Sequence, residues 1–138
     1  MKYINIIFTI VIISLLLITS YGCGSSISNT PEQAVKDFYQ SLNDRDCKKN
    51  LSLRSSNSPY LSGTDYSGQL SACKAQLQNG LPYHSVKIDG VTIQGSKAEV
   101  IEELTIGNQP TDRVRVSLIV EDNEWKIDKV QVDNTPAI

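Results

Sequence analysis

The sequence predicts an α+β domain in which N-terminal helices pack on one face of an antiparallel four-stranded meander. Apolar residues recur at helical spacing between residues 31 and 77, and the period changes to two from His84 onward. Short turns separate the alternating segments, which favours antiparallel neighbours. Such a sheet has one apolar face, and the preceding helices are the elements available to cover it.

The first helix is predicted over residues 31–43. Thr30 suits the N-cap, Pro31 the first helical position, and Gln33 lies three residues after the cap. The apolar face of this helix comprises Ala34, Val35, Phe38, Tyr39 and Leu42.

Two further helices are predicted before the sheet. A short helix over about residues 46–53 would place Cys47 on an apolar face, and residues 54–63 have the composition of a loop. A third helix ends at Asn79-Gly80. Its repeat consists of Tyr66, Leu70, Cys73 and Leu77.

The first two predicted strands join at a turn formed by Gly95-Ser96. The first begins near His84 and contains a bulge at Asp89-Gly90. In the second strand, Ile101 and Glu102 fall on the wrong sides of the alternation. That alternation is otherwise set by Ala98, Val100, Leu104 and Ile106.

The last two predicted strands form a hairpin. Residues 107–112 make a wider turn into the third strand, Arg113–Val120, which has the cleanest alternation in the chain. Glu121–Glu124 then connects it to the fourth strand, Trp125–Val132.

Residues 1–22 are predicted to be a lipoprotein signal peptide. Met1-Lys2 gives a basic start, and Ile6–Ile18 would span roughly 20 Å as a helix, short of the roughly 30 Å hydrocarbon core of a bilayer. Gly22-Cys23 resembles the lipobox of bacterial lipoproteins, which implies an acylated Cys23 at the mature N-terminus. An ordinary cleaved signal and an uncleaved anchor are the alternatives. Residues 23–29 are small and polar, as in a flexible tether.

Composition excludes several function classes. The chain carries 13 basic and 15 acidic residues without a basic stripe, which argues against nucleic-acid binding. It has no CxxC motif and no Cys/His cluster, so we expect no metal and no cofactor. Outside the cytoplasm, Cys47 and Cys73 would form an even pair able to make a disulfide, and two buried free thiols are the alternative.

The segments Thr30–Tyr39 and Glu124–Val130 resemble the opening helix and penultimate motif of small bacterial lipoproteins of the nuclear-transport-factor-2-like superfamily, many of unknown function. The resemblance covers about residues 30–133 and leaves 134–138 as a tail. It implies a strongly curved sheet that wraps the first helix and forms a cone with a pocket at its open end. No catalytic residue can be carried over from it.

Four side chains are candidates to line such a pocket. They are Tyr39, Tyr66, His84 and Trp125. His84 would act as a general acid or base only beside a carboxylate or hydroxyl, and otherwise is an ordinary junction residue. The tyrosines could instead belong to the core or the rim, and Trp125 could simply pack on the sheet.

The expected function is that of a non-catalytic lipoprotein, anchored by lipid on the extracytoplasmic side of the cell envelope. Its cone would bind a small apolar ligand, or its sheet would dock an envelope protein. The alternative is a pocket enzyme, a lyase or hydrolase using His84 or a tyrosine. A component of a secretion or conjugation assembly would fit the same fold and would show an exposed apolar patch.

Overall fold

The structure is a computed structural model that describes residues 26–59, 61, 65–79, 83–108 and 111–132. Three helices precede four strands in this part of the chain, which confirms the predicted α+β class. The elements are α1 (Pro31–Asn43), α2 (Cys47–Ser52), α3 (Tyr66–Asn79), β1 (Tyr83–Gln94), β2 (Lys97–Ile106), β3 (Asp112–Glu121) and β4 (Glu124–Val132).

Helix α1 begins as its sequence predicts. The Thr30 hydroxyl accepts a hydrogen bond from the backbone N–H of Gln33 at 3.2 Å, and Pro31 occupies the first turn, where a missing N–H costs nothing. One face of the helix is buried against the sheet through Ala34, Val35, Phe38 and Tyr39. Helix α1 therefore lies along the inner face of the sheet.

The four strands form one antiparallel sheet in the order β1-β2-β3-β4. Asp122 and Asn123 connect β3 to β4 with φ values of 52° and 62°. A two-residue turn with positive φ at both positions matches the twist of the flanking strands, and Asp and Asn tolerate that conformation. The meander predicted from the short turns is thus confirmed.

Irregularities in β1 and β4 bend the sheet around α1. The register of β1 shifts between Tyr83 and Ser85, and again between Ile88 and Gly90, where the sequence predicts a bulge. In β4, Asp128 is the extra residue opposite the step from Ser117 to Leu118. Bulges of this kind increase local bending and twist, so the sheet curves and its inner face becomes concave.

The free edge of β4 is covered by the segment that follows α2. The backbone N–H of Ile127 donates to the carbonyl of Leu53 at 2.8 Å, and the N–H of Ser55 donates to the carbonyl of Ile127 at 2.8 Å. Ser55 also donates from its hydroxyl to Asp128 at 2.7 Å. These bonds satisfy backbone groups of an edge strand and hold Arg54 beside the open end of the sheet.

A disulfide joins Cys47 to Cys73, as the sequence predicts, with 5.9 Å between the Cα atoms. It links α2, whose Cys47 is buried, to α3. None of the described side chains of α3 is fully buried. The disulfide is therefore a main attachment of α3 to the rest of the domain.

Ile101 and Glu102 lie on the faces to which the alternation of the second strand assigns them, although their polarity is opposite to that of their neighbours. Burial alternates strictly along β2, so Glu102 lies on the buried inner face and Ile101 lies half-buried on the outer face. Strand pairing on both sides fixes this register, because a one-residue slip would expose Val100 and Leu104. Strand β2 is regular, and Glu102 is the one residue on its buried face that carries a carboxyl group.

The described residues just before α1 bond to the β3–β4 hairpin. The N–H of Ser28 donates to the carbonyl of Asn123 at 2.9 Å, and Asn29 exchanges two hydrogen bonds with the backbone of Trp125. The predicted signal peptide and Cys23 lie outside the described residues. Within the described part, no helix is both long enough and apolar enough to cross a bilayer.

Candidate ligand-binding site

A cavity of about 220 Å³ lies at the end of the sheet where β2 stops and β3 begins. Its polar lining includes Tyr39 from α1, Arg54 from the edge segment and Asp112 from β3. The greater part of the wall is apolar and comes from Phe38, Leu104, Ile106, Val114, Val130 and Val132. Such a mixture of apolar walls and a few polar groups is typical of small-molecule sites.

The helical wall of the cavity is rigidly built. The rings of Phe38 and Tyr39 meet edge to face, with their centroids 5.2 Å apart. The guanidinium carbon of Arg54 lies 4.8 Å from the Phe38 centroid, and Arg54 Nε donates to Asn50 Oδ1 at 3.2 Å. Arg54 is thus held over an aromatic ring at the cavity.

A buried polar network fixes the C-terminal half of α1, which carries these rings. The Ser41 hydroxyl donates to the carbonyl of Phe38 at 2.6 Å, and Asn50 Nδ2 donates to the Ser41 hydroxyl at 3.0 Å. Ser41 and Asn50 are essentially inaccessible to water. Since both partners are satisfied, the network joins α1 to α2 and positions the aromatic wall.

Glu102 lies just behind the cavity wall. Its side chain is 0% exposed, and the burial raises its pKa from 4.5 to about 7. The hydroxyl of Tyr39, which lines the cavity, interacts with the Glu102 carboxylate and offsets part of this rise. A carboxyl group with this pKa changes its protonation state near neutral pH, whereas an exposed glutamate stays ionised there.

No protein-family profile and no curated protein matches this sequence. Solved structures do share its architecture. An NTF2-like (nuclear-transport-factor-2-like) protein of unknown function from Shewanella baltica is 13% identical, with a TM-score of 0.52 over 77% of this chain and 91% of that chain. A Campylobacter jejuni protein, provisionally described as an NTF2-like transpeptidase, is 18% identical, with a TM-score of 0.50 over 72% and 97%.

The chain has the nuclear-transport-factor-2-like fold. A de novo designed protein with a curved β-sheet is similar as well, at 14% identity and a TM-score of 0.51 over 75% of this chain and 98% of that chain. At these identities the likeness establishes the fold alone. The predicted resemblance to this superfamily is thereby confirmed for the fold, and the function has to be argued from the cavity.

The NTF2-like cone places the four predicted lining residues in different environments. Tyr39 is buried and lines the cavity. Tyr66 is 57% exposed because it begins α3, away from the concave face, and it is not part of the lining. Trp125 is 4% exposed and packs in the core at the other end of the sheet. The side chain of His84 lies outside the described residues.

Two residues of this cone were not among the candidates predicted from the sequence. Glu102 carried a usable signal, because a carboxylate at an inward position of a strand is costly and is kept for a reason. Arg54 carried none, since it sits in a polar loop whose path along β4 depends on tertiary pairing. Among the described residues, no group of three or more potential ligands could hold a metal ion.

A larger depression, of about 560 Å³, lies toward the β1–β2 turn. Its lining includes Thr92, Gln94, Lys97 and Glu99, all of them exposed on the outer face. Glu99 is already paired with Arg115 at 2.9 Å. These groups are solvated in the free protein, so the smaller apolar cavity is the better candidate site of the NTF2-like domain.

Proposed function

We propose that this chain is an envelope lipoprotein whose cone binds a small, largely apolar ligand without transforming it. The observation that carries the proposal is the cavity of about 220 Å³ between the C-terminal half of α1 and the concave face of the sheet. Its wall is mainly apolar, so a ligand with an apolar body would gain the free energy of leaving water there.

The anchoring part of the proposal is supported by the predicted leader over residues 1–22 and by Cys23. The Cys47–Cys73 disulfide is a further support, because disulfides persist in oxidising compartments outside the cytoplasm. We therefore propose that the domain works on the extracytoplasmic side of the membrane, with an N-terminal lipid as its attachment.

The transpeptidase activity in the description of the Campylobacter jejuni protein is not part of the proposal. Acyl transfer through a covalent intermediate commonly uses a Ser, Thr or Cys side chain as the nucleophile. Among the described residues, the cavity lining contains none of these. A binding role needs no such group.

Binding can be tested with hexan-1-ol as an apolar probe. In the full chain reconstituted in lipid nanodiscs, we expect hexan-1-ol to shift the methyl NMR signals of Ile106 and Val114, which line the cavity. Val130→Trp should abolish these shifts by filling the cavity, whereas Ile101→Trp, on the outer face, should retain them. Unchanged binding in Val130→Trp would contradict the proposed site.

The lipid can be tested separately by mass spectrometry of the mature N-terminus. We expect an acylated Cys23, and Cys23→Ser should release the protein from the membrane fraction. A mature chain that begins elsewhere and carries no lipid would reject the anchor while leaving the cavity intact as a binding site.

A pocket enzyme is the second candidate, and the pair formed by Tyr39 and Glu102 is the observation that favours it. A carboxyl group with a pKa of about 7 can both give and take a proton at neutral pH. This candidate predicts turnover of a bound compound that Glu102→Gln abolishes at unchanged affinity.

A further inference from the structure

The environment of Glu102 is apolar on the sheet. On the inner face its cross-strand neighbours are Ile88 on β1 and Val114 on β3. Val100 and Leu104 flank it on its own strand. Neither carboxylate oxygen has a partner at ordinary hydrogen-bond distance among the described residues. Burying a carboxyl group in apolar surroundings costs free energy, which a ligand group that hydrogen-bonds to it would offset.

Three neighbours of Glu102 line the cavity. Leu104 is the next inward residue along β2, and Val114 is the partner of Glu102 on β3. The third neighbour is Tyr39, whose hydroxyl interacts with the Glu102 carboxylate. Residues on the same face of a strand are on the order of 7 Å apart, so a ligand group that extends that far beyond Leu104 would reach the carboxylate.

The described part of the protein supplies no counterion to Glu102. The causes that act on its pKa are burial and the Tyr39 hydroxyl, without a charged partner. Arg54 is the cation at the cavity, and its guanidinium lies on Phe38 and bonds to Asn50.

The other described charged groups near β2 lie at the cavity rim or on the outer face of the sheet. Asp112 lines the cavity at its rim and adds a second negative group. On the outer face are Lys87, Asp89, Glu103, Arg113 and Arg115. His84 lies on the neighbouring β1, and its side chain is outside the described residues.

We propose that the ligand of the cone carries a protonated amine at its inner end, which binds the carboxylate of Glu102. This inference rests on the proposed binding function and names the chemistry of the ligand. The amine would supply a positive charge and donate to the carboxylate oxygens, while the apolar body occupies the cavity. Charge-assisted hydrogen bonds of this kind are strong in a site shielded from water.

The proposal fixes how binding depends on pH. An alkylamine stays protonated from pH 6 to pH 8, because its pKa resembles that of lysine, about 10.4. Glu102 ionises over this interval, since its pKa is about 7. The ionised form binds the amine, so affinity should rise roughly tenfold from pH 6 to pH 8. A neutral ligand that accepts a hydrogen bond from protonated Glu102 would show the opposite trend.

Hexylamine, hexan-1-ol and hexanoate, compared at both pH values, test the proposal in the nanodisc-reconstituted full chain. We expect hexylamine to bind about tenfold tighter than hexan-1-ol at pH 8, with hexanoate the weakest. Glu102→Gln should remove this preference. Glu103→Gln, one residue away on the outer face, and His84→Gln should both retain it. In the unmodified protein, the Glu102 carboxyl carbon should titrate at least one pH unit lower with saturating hexylamine, which needs no variant to fold.

The outcomes separate the two proposals. If hexan-1-ol binds but hexylamine is no tighter, or if Glu102→Gln keeps the preference, the amine is rejected and the apolar site stands. If hexanoate binds tightest, or if His84→Gln removes the preference, Glu102 is not the group that selects the ligand. If none of the three probes binds, the proposed function fails as well.

Discussion

At the scale of single residues, Glu102 is the most consequential side chain. It stands in an otherwise apolar row along the inner face of β2 and is 0% exposed. Substituting an apolar residue there would avoid the cost of burying an ionisable group. The sequence retains the carboxyl group instead, beside the cavity wall formed by Tyr39 and Leu104, which is where a ligand could use it.

Glu102 also predicts how stability varies with pH. The folded protein holds the Glu102 proton up to a pKa of about 7, whereas an unperturbed carboxyl group releases it at 4.5. Between these values unfolding releases a proton, so the free energy of unfolding should fall as pH rises, by roughly 3 kcal/mol in total. Urea denaturation at intervals from about pH 5 to pH 8 measures this fall.

Glu102→Gln should flatten that dependence, because an amide does not titrate. Glu103→Gln is the matched control: its carboxylate is partly exposed and bonds to Lys87 at 3.0 Å on the outer face. It should retain the slope of the unmodified protein. An equal fall in Glu102→Gln would show that other groups cause the pH dependence.

At the scale of secondary-structure elements, α1 and α3 are held in different ways. Helix α1 buries an apolar face and is fixed to α2 by the network of Ser41 and Asn50. Helix α3 has no fully buried side chain among those described and depends on the Cys47–Cys73 disulfide. Gln76 of α3 nevertheless reaches the cavity, so the disulfide contributes to the shape of the site.

Removing the disulfide should therefore loosen α3 first. For the double variant Cys47→Ala, Cys73→Ala we expect a loss of roughly 3 to 4 kcal/mol in the free energy of unfolding, from the chain entropy of the unfolded state. Native-state hydrogen exchange should show α3 amides losing protection while β2 and β3 keep theirs. Equal loss of protection in all these elements would contradict a separate role for the disulfide in holding α3.

At the scale of the whole molecule, the described residues that precede α1 and the cavity lie at opposite ends of the sheet. Ser28 and Asn29 bond to the β3–β4 turn and the start of β4, whereas the cavity opens where β3 begins. The ten residues of β3 separate these ends by roughly 30 Å at about 3.3 Å per residue. The residues from Cys23 to Ile27 can reach at most roughly 18 Å.

If Cys23 is the anchor, the cavity should open away from the membrane. A fluorophore attached through Asp122→Cys, at the β3–β4 turn, should be quenched more strongly by lipid headgroup quenchers than one attached through Asn108→Cys, near the cavity. The comparison applies to nanodisc samples that retain the Cys47–Cys73 disulfide. Equal quenching, or stronger quenching at position 108, would contradict this orientation.

The sequence by itself determined the element order and the strand pairing, whereas it only indicated the disulfide that the structure contains. Those features depend on local signals: Thr30 and Pro31 start a helix, period-two alternation marks each strand, and short turns leave only antiparallel neighbours. The sequence also drew attention to Tyr39, because its place on the apolar face of α1 follows from helical spacing alone.

Only the tertiary structure decided the candidate site. Tyr39 and Glu102 are distant in sequence and meet because bulges curve the sheet around α1, while Arg54 reaches Phe38 because its segment pairs with β4. The same physics explains why Tyr66 and Trp125 lie outside the cavity lining. Local periodicity assigns a residue to a face, but only curvature and packing determine which faces enclose a space.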